Sequence, residues 1–488
     1  MTEHAHLKRH AVSGVKWIGL STFVTSAVQY IQVGILARFL SPSDFGLMAM
    51  AMVVVGIVQA FNDMGISNAV IQRRETTGEK LSSLFWLEIA AGGALFVITV
   101  LLTPPTVWFY SEPRLTEVML WISTIFLVTP PGQLYLVLLQ RDLRFRDLSI
   151  IEIAATVVST IIMIAAAYFG LGVMALVIGQ IVYFGARSLQ LVAVGLPGWR
   201  PRLHFRAADL SGYIGFGLYQ MGERTVTYFA INAIKLIIGR YLGADALGRY
   251  YVAYQVIVFP VMRISTVIMS VSFPIFAKFQ EIDELLRRGY LHLARIISFT
   301  MFPALALAFV ASPVLVPLLL GPGWAGVTPI FQALCVVALF KVLGATAVPT
   351  YLARGRADLG FIWNFIVAIV NAVVFYLLAG YGIIVLMLAF AALSMLQFVV
   401  IQAITGRMIG LRWRDYLGAM ALNTAKSIMV GLAAYVAQVA GSSSGLEGAS
   451  LLAAMVAAGG IAYLAIAWTF NREYLRELWG LLSPGTNA

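Results

Sequence analysis

The sequence predicts an all-α integral membrane protein with about fourteen transmembrane helices, on three observations. First, 60% of its 488 residues are hydrophobic and only 11% are charged, whereas about a quarter of the residues in a soluble domain are charged. Second, the hydrophobic residues form runs of about 20 or more, the length that crosses a bilayer as a helix. Third, loops rich in lysine and arginine alternate with loops that are poor in them.

The first half of the chain contains six of these hydrophobic runs. Residues 1–12 are polar, and the run that follows them is longer than the hydrophobic region of a cleaved signal peptide. We therefore expect this first run to stay in the membrane as a helix. The six predicted spans are 13–38, 45–71, 81–103, 115–139, 148–169 and 172–194.

The second half contains eight further runs, of which the last two have no counterpart in the first half. The predicted spans are 211–239, 247–273, 292–318, 326–350, 360–379, 382–405, 416–439 and 448–470. This order predicts a six-helix lobe over residues 1–206 and a second over 207–415. Residues 416–488 then form two appended helices and a short cytoplasmic tail.

The distribution of basic residues predicts the orientation in the membrane. With the N-terminus in the cytoplasm, 23 of the 33 lysines and arginines lie in cytoplasmic segments and four lie on the other side. An even number of spans returns the C-terminus to the cytoplasm. The net charge of +11 is then explained by this rule and by anionic lipid, and we expect no nucleic-acid partner.

Short sequence echoes indicate an internal repeat. The segment RFLSPSDFG at 38–46 matches RYLGADALG at 240–248 in its arginine, leucine and glycine positions. Both segments follow a long span and lie on the predicted outer side. Parallel repeats of this kind build transporters whose cargo binds between two lobes. Two further echoes follow in the same order, GLGVMAL at 170–176 with GYGIIVL at 380–386, and LQR at 139–141 with LAR at 352–354.

Polar residues at helical spacing predict a cavity shared by the two lobes. One face of the predicted span 211–239 is polar, and Glu223 lies beside that face. A similar stripe runs along the first span, and Thr22 is equivalent to Arg224 in the repeat. The stripe of the later span consists of Gln220, Arg224, Tyr228 and Lys235. The stripe of the first span consists of Thr22, Thr25, Gln29 and Gln32.

Charged residues inside the spans predict an anionic cargo. Arg263 and Lys341 also lie inside predicted spans and add to the basic residues of the stripe. A charge at mid-bilayer costs roughly 2.5–3.5 kcal/mol, so such residues usually face a partner or a water-filled cavity. An excess of cations suits phosphate or carboxylate groups. Glu223, Asp63 and Glu88 are candidates for ion coupling, although an internal ion pair or contact with the membrane interface would also explain them.

Several other kinds of site are not indicated. Cys335 is the only cysteine, so an intrachain disulfide is impossible, and the five histidines lack metal-ligand spacing. The sequence contains no phosphate-binding GxxxxGK[ST] loop. We therefore expect no metal, no cofactor and no ATP hydrolysis.

The first two spans resemble a known family in their motifs. ARFL at 37–40 is followed by SPSDFG at 41–46 and by NDMGISNAVIQRRE at 62–75. This pattern is similar to that of bacterial polysaccharide exporters, the O-antigen and colanic-acid flippases of the multidrug/oligosaccharidyl-lipid/polysaccharide superfamily. The resemblance implies two six-helix bundles around a central cavity in the bacterial inner membrane.

The resemblance also implies an activity and partners. Family members move undecaprenyl-pyrophosphate-linked oligosaccharide from the cytoplasmic to the periplasmic leaflet by alternating access, coupled to an ion gradient. The expected partners are this lipid-linked anionic oligosaccharide and membrane lipids, with a polysaccharide polymerase and a chain-length regulator as further candidates. Two alternatives remain open from the sequence, a cation-coupled multidrug exporter of the same superfamily and a membrane glycosyltransferase or ligase. The short outer loops argue against the enzyme.

Overall fold

The computed structural model describes residues 2–59, 77–210 and 214–470, and within these ranges the chain is helical and has no β-strand. The predicted all-α class is therefore confirmed. The chain divides into two units, Met1–Tyr251 and Val252–Ala488. The predicted lobes with boundaries at residues 206 and 415 stay a prediction.

The described part of the first unit contains nine complete helices and the beginning of a tenth. The helices are α1 (Thr2–Phe39), α2 (Pro42–Gln59), α3 (Gly78–Leu101), α4 (Thr103–Tyr110), α5 (Leu115–Ile122), α6 (Ile125–Val128), α7 (Pro130–Arg141), α8 (Phe145–Tyr168) and α9 (Val173–Gly195). After a 3₁₀ turn at Ala207–Leu210, α10 (Ile214–Lys278) begins in the first unit and ends in the second. Helix α8 packs against both α1 and α9.

In the second unit, α11 packs against α12, α16 and α17, and α15 packs against α12. The helices are α11 (Asp283–Leu320), α12 (Thr328–Ala345), α13 (Ala347–Ala353), α14 (Ala357–Leu378), α15 (Ile383–Ile409), α16 (Trp413–Ser443) and α17 (Gly448–Phe470). Small residues such as Ala311 and Ala434 are buried in this packing. Small residues let helix backbones approach closely, and this close packing drives helix association in a membrane, where lipid is as apolar as the helix surfaces.

The number of helices that can cross a membrane agrees with most of the predicted spans. Among the described residues, eleven helices are long and apolar enough, and the count is twelve if the bent pair Leu115–Val128 and Pro130–Arg141 is one span. The predicted spans 211–239 and 247–273 are not among them; apart from residues 211–213, which lie outside the described residues, both correspond to parts of α10. The chain is a multi-pass membrane protein, and the total of fourteen spans stays a prediction.

Two interruptions of the helices occur at a glycine and at a proline. Helix α10 is 65 residues long but has non-helical geometry at Gly243, with φ +80° and ψ −178°. Glycine adopts positive φ without the Cβ clash that other residues suffer, so the break lies between the two predicted spans. The bent pair changes direction by 46° just before Pro130, whose ring removes a main-chain donor.

The segment after α9 folds back onto the beginning of α3. Ser83 Oγ donates a hydrogen bond to Asp209 at 2.7 Å, and Trp86 Nε1 donates to the carbonyl oxygen of Arg202 at 2.8 Å. The hydrogen bond from Ser83 lowers the pKa of the Asp209 carboxyl, and the neighbouring His204 acts in the same direction. These contacts fix the connection that leads from the sixth predicted span to α10.

Candidate functional site

The polar residues predicted on the first span do not share one environment. Thr25 Oγ1 donates at 2.7 Å to a carbonyl of its own helix, and Gln32 Oε1 accepts a hydrogen bond from Thr160 Oγ1 of α8 at 2.7 Å. Gln29 is exposed and Thr22 is partly buried. Gln32 therefore joins α1 to α8, whereas the Gln29 side chain is exposed and does not take part in this packing.

Tyr228 joins α10 to α2 inside the first unit. Its hydroxyl donates a hydrogen bond to the carbonyl oxygen of Met52 at 2.9 Å. The ring occupies space left by Gly56, where a Cβ atom would lie 2.0 Å from the Tyr228 oxygen. Tyr228 is thus a packing residue as well as a member of the predicted stripe.

Three basic side chains predicted to line the cavity lie beside aromatic rings. The Lys235 ammonium is 5.7 Å from the ring centroid of Tyr251, the Arg263 guanidinium 4.8 Å from that of Phe259, and the Lys341 ammonium 5.5 Å from that of Phe390. In the part of the chain that the structure describes, none of the three forms an ion pair with a carboxylate. Within the described residues, each of these three cations is therefore stabilised by a cation–π contact and not by a carboxylate.

The other predicted site residues are placed less fully. Gln220, Glu223 and Arg224 lie on α10, but their side chains fall outside the described residues, as does the whole of Asp63. Glu88 lies on α3 and its side chain is buried. That Gln220 and Arg224 share a cavity with the α1 residues stays a prediction, as does ion coupling by Glu223, Asp63 and Glu88.

A charged cluster inside the first unit was missed in the sequence. Glu152 of α8 accepts a hydrogen bond from the Tyr183 hydroxyl of α9, and its second oxygen lies 3.1 Å from Nε of Arg187, also on α9. The sequence does contain a signal for this pair: Glu152 and Arg187 have opposite charges and lie in adjacent predicted spans, at similar distances from the same side of the membrane. Each residue alone resembled an ordinary interfacial charge, so the pairing depended on the packing of α8 against α9.

The two repeat segments meet in a reciprocal contact at the predicted outer side. A Cβ atom on Gly46 would lie 1.8 Å from the carbonyl oxygen of Ala244, and one on Gly248 would lie 1.7 Å from that of Pro42. In the predicted repeat, Gly46 corresponds to Gly248 and Pro42 to Ala244, so each contact repeats the other. Within the first unit, helix α2 and residues 244–248 of α10 therefore touch backbone to backbone.

Polar contacts surround this outer contact. Arg114 binds Glu112 through two hydrogen bonds of 2.9 and 3.0 Å and reaches Ser43 at 3.0 Å, while Arg240 donates to Ser111 at 2.6 Å. The hydrogen bonds from Arg114 lower the pKa of the Glu112 carboxyl. The loop 111–114 is thereby attached to the two segments that make the contact.

The described part of the second unit contains a large and a small cavity. A groove of about 470 Å³ between α11, α12 and α16 is almost wholly apolar and includes Phe302, Cys335 and Tyr435. A smaller cavity of about 170 Å³ lies between the end of α15 and the beginning of α16, and its lining includes Arg407 and Arg412. Among the described residues no cluster of His, Cys, Asp and Glu could hold a metal ion.

Comparison with known protein families identifies the family of this chain. Residues 35–329 match a family described as "Polysaccharide biosynthesis protein", and this range exceeds half of the chain. The chain belongs to this family. The match includes α2, the outer contact and α10. Membership confirms the resemblance inferred from the motifs at 37–46 and 62–75.

Curated relatives agree with membership in this family. The lipopolysaccharide biosynthesis protein WzxC of Escherichia coli strain K12 is 31% identical over 358 residues, which are 73% of each chain. The teichuronic acid biosynthesis protein TuaB of Bacillus subtilis strain 168 is 29% identical over 459 residues, 94% of this chain and 95% of TuaB. A further relative, the succinoglycan biosynthesis transport protein ExoT of Rhizobium meliloti strain 1021, is 23% identical over 356 residues, 73% of this chain and 72% of ExoT. The prediction that the chain is not an enzyme is confirmed.

Solved structures identify the fold. The lipid II flippase MurJ in an inward closed conformation superposes with a TM-score of 0.74 at 12% identity, covering 94% of this chain and 99% of MurJ. The MATE transporter VcmN of Vibrio cholerae gives a TM-score of 0.52 at 14% identity, covering 85% and 100%. At these identities the likeness concerns the fold alone, which this chain shares with MurJ and VcmN.

Proposed function

We propose that this protein moves a lipid-linked anionic oligosaccharide from the cytoplasmic to the periplasmic leaflet of the bacterial inner membrane. The observation that carries the proposal is the set of three basic residues, Lys235, Arg263 and Lys341, beside aromatic rings inside predicted spans. A charge at mid-bilayer costs roughly 2.5–3.5 kcal/mol, and a cation–π contact returns about 0.5–2 kcal/mol. An anionic cargo would offset the remainder.

The chemistry of these residues favours a phosphate-bearing head group. Arginine offers a planar fork that matches two phosphate oxygens, and lysine offers a movable point charge. An undecaprenyl-pyrophosphate head bears such oxygens next to the first sugar. The names of the relatives, which refer to lipopolysaccharide and teichuronic acid, supply the polysaccharide part of the proposal.

Transport by alternating access would require the outer contact to separate. Gly46 and Gly248 hold α2 and α10 together at the predicted periplasmic side, so a cargo could leave there only after the two helices part. The proposed energy source is an ion gradient. Glu88, Glu223 and Asp63 remain the proposed coupling groups.

A multidrug exporter is the second candidate function. A carrier for cationic drugs would bind its cargo with acidic or neutral groups, because like charges in a low dielectric repel. The described basic residues Lys235, Arg263 and Lys341 favour an anion instead.

The test replaces the three basic residues together. In proteoliposomes, the variant Lys235→Gln/Arg263→Gln/Lys341→Gln should flip a fluorescent undecaprenyl-pyrophosphate-linked oligosaccharide at least about ten-fold more slowly, because the anionic head loses its partners. The variant Lys235→Arg/Arg263→Lys/Lys341→Arg should keep most of the rate, because it keeps the charges.

A matched control removes three basic residues that lie at or just beyond the ends of predicted spans and already have acidic partners. Arg249 pairs with Asp245 at 2.6 Å, and the control combines Arg249→Gln with Arg288→Gln and Arg356→Gln. It should flip the probe at nearly the original rate. Equal loss in the control, or efficient export of a cationic dye by the unaltered protein, would overturn the proposal.

A further inference from the structure

The small cavity between α15 and α16, here called the rim cavity, has a basic mouth. It lies where the chain turns at Gly410, which has φ +65°, and Leu411 N donates to the carbonyl of Gly406 at 2.8 Å to close the turn. Arg407 and Arg412 line the rim cavity and are exposed. The positive-inside distribution predicts that this turn faces the cytoplasm.

The arginines of the rim cavity differ from neighbouring arginines of the same unit in their partners. Arg407 and Arg412 form no ion pair with any carboxylate among the described residues. Asp415 lies in the first turn of α16 but does not line the rim cavity. By contrast, four arginines of this unit have acidic partners, Arg287 and Arg288 with Glu284, Arg354 with Asp283, and Arg356 with Asp358.

The inner wall of the rim cavity presents a buried polar side chain. Gln402 is 3% exposed and lines the cavity. Its Oε1 accepts a hydrogen bond from the Tyr290 hydroxyl, which itself accepts one from Thr346 Oγ1 at 3.1 Å. Its Nε2 donates no hydrogen bond within the described part of the chain. The amide of Gln402 can therefore donate to an acceptor in the cavity without giving up another hydrogen bond.

The size and surroundings of the rim cavity indicate what the acceptor is. At about 170 Å³ it is smaller than the roughly 300–1,000 Å³ of a typical small-molecule site, so it suits a head group rather than an oligosaccharide. Trp413 at its edge is of the type that settles at the membrane interface. Deeper along the same two helices, Val399, Val400 and Leu417 are exposed and apolar.

We propose that the rim cavity binds the phosphate of an anionic phospholipid in the cytoplasmic leaflet. Arg407 and Arg412 pair with the phosphate oxygens, and Gln402 donates a hydrogen bond from the inner wall. The acyl chains lie along the exposed valines and Leu417. Basic pockets between transmembrane helices on the cytoplasmic side bind anionic lipid head groups in this way. The site is separate from the basic residues proposed to bind the cargo.

The test measures lipid binding by the full-length protein. By native mass spectrometry in detergent, phosphatidylglycerol should bind more tightly than phosphatidylcholine. The variant Arg407→Gln/Arg412→Gln should bind phosphatidylglycerol about thirty-fold more weakly, the effect expected when two basic residues leave an anionic head group. Gln402→Glu should also weaken binding, because it keeps the acceptor for Tyr290 and puts negative charge in the rim cavity.

The control removes the same charge from the same unit without altering the cavity lining. The variant Arg288→Gln/Arg414→Gln changes two exposed arginines that do not line the rim cavity, and it should bind phosphatidylglycerol as the unaltered protein does. Equal weakening in this control would overturn the site, because it would show general surface attraction. No preference for phosphatidylglycerol, or binding of inorganic phosphate in its place, would overturn the lipid assignment.

Discussion

Charged side chains inside the spans have two kinds of partner. Glu152 and Arg187 neutralise each other across α8 and α9, with the Tyr183 hydroxyl as a further donor. Lys235 and Lys341 instead lie beside aromatic rings. A mutually neutralised pair has little need of a ligand, whereas a cation on a ring retains its attraction for an anion. The first kind therefore contributes to stability and the second to the proposed binding.

Breaking the pair on one side should destabilise the protein more than removing both charges. Glu152→Gln or Arg187→Gln leaves an uncompensated charge inside the membrane region, and each should cost about 1–3 kcal/mol of unfolding free energy, because the pair is only partly buried. The double variant should recover more than half of the summed loss. Unfolding of the purified protein in detergent, read as a double-mutant cycle, measures the coupling. Additive losses would mean that the two charges stabilise the fold independently.

Helices α2 and α10 meet through glycine because their backbones are too close for any side chain. The contact is reciprocal, with Gly46 against Ala244 and Gly248 against Pro42. Both glycines occur in the motifs that indicated the repeat. The matching letters in RFLSPSDFG and RYLGADALG thus coincide with a packing requirement at two equivalent positions.

A methyl group at this contact should force the two helices apart. Gly46→Ala or Gly248→Ala should lower the melting temperature and slow flipping, because the new Cβ would collide with a main-chain carbonyl that cannot turn aside. The matched control is Gly93→Ala on α3, where nothing lies within 4 Å of the added Cβ. That change should be neutral or stabilise by up to about 1 kcal/mol, since alanine is the better helix former. A neutral Gly46→Ala would show that the helices do not meet this closely in the membrane.

The membrane topology of the whole molecule is inferred from the number of its spanning helices and from the distribution of lysine and arginine. Eleven helices, or twelve with the bent pair, are long and apolar enough to cross the membrane among the described residues. Two further predicted spans share α10, which is broken at Gly243. If both parts of α10 cross, the total is fourteen and both termini lie on one side.

Reporter fusions test this topology directly. A fusion at Ser443, at the end of α16, should report the periplasm, and one after Ala488 should report the cytoplasm. The reason is that one span, α17, separates the two positions. A third fusion at Gly355 should also report the cytoplasm, because Arg354 and Arg356 flank it. If the fusions at Ser443 and after Ala488 reported the same side, α17 would not span the membrane.

Helical spacing identified polar faces, but it did not identify their neighbours. Tyr228 was expected with Lys235 on one stripe, and the structure directs its hydroxyl to the main chain of α2. Gln32 likewise turns to α8 and bonds Thr160. The 100° step of a helix fixes which residues share a face, whereas the helix that covers that face depends on the packing of the whole unit.

The sequence by itself determined the all-α membrane class, the positions of most spans and the family, because hydrophobic length, basic loops and short motifs are local properties of the chain. Only the tertiary structure decided that Glu152 pairs with Arg187, that Gly46 and Gly248 make one reciprocal contact, and that Arg407 and Arg412 border a cavity with Gln402. Each of these depends on distances between segments far apart in the chain or on the exact course of a turn, and these distances are set by helix packing, which no local pattern encodes.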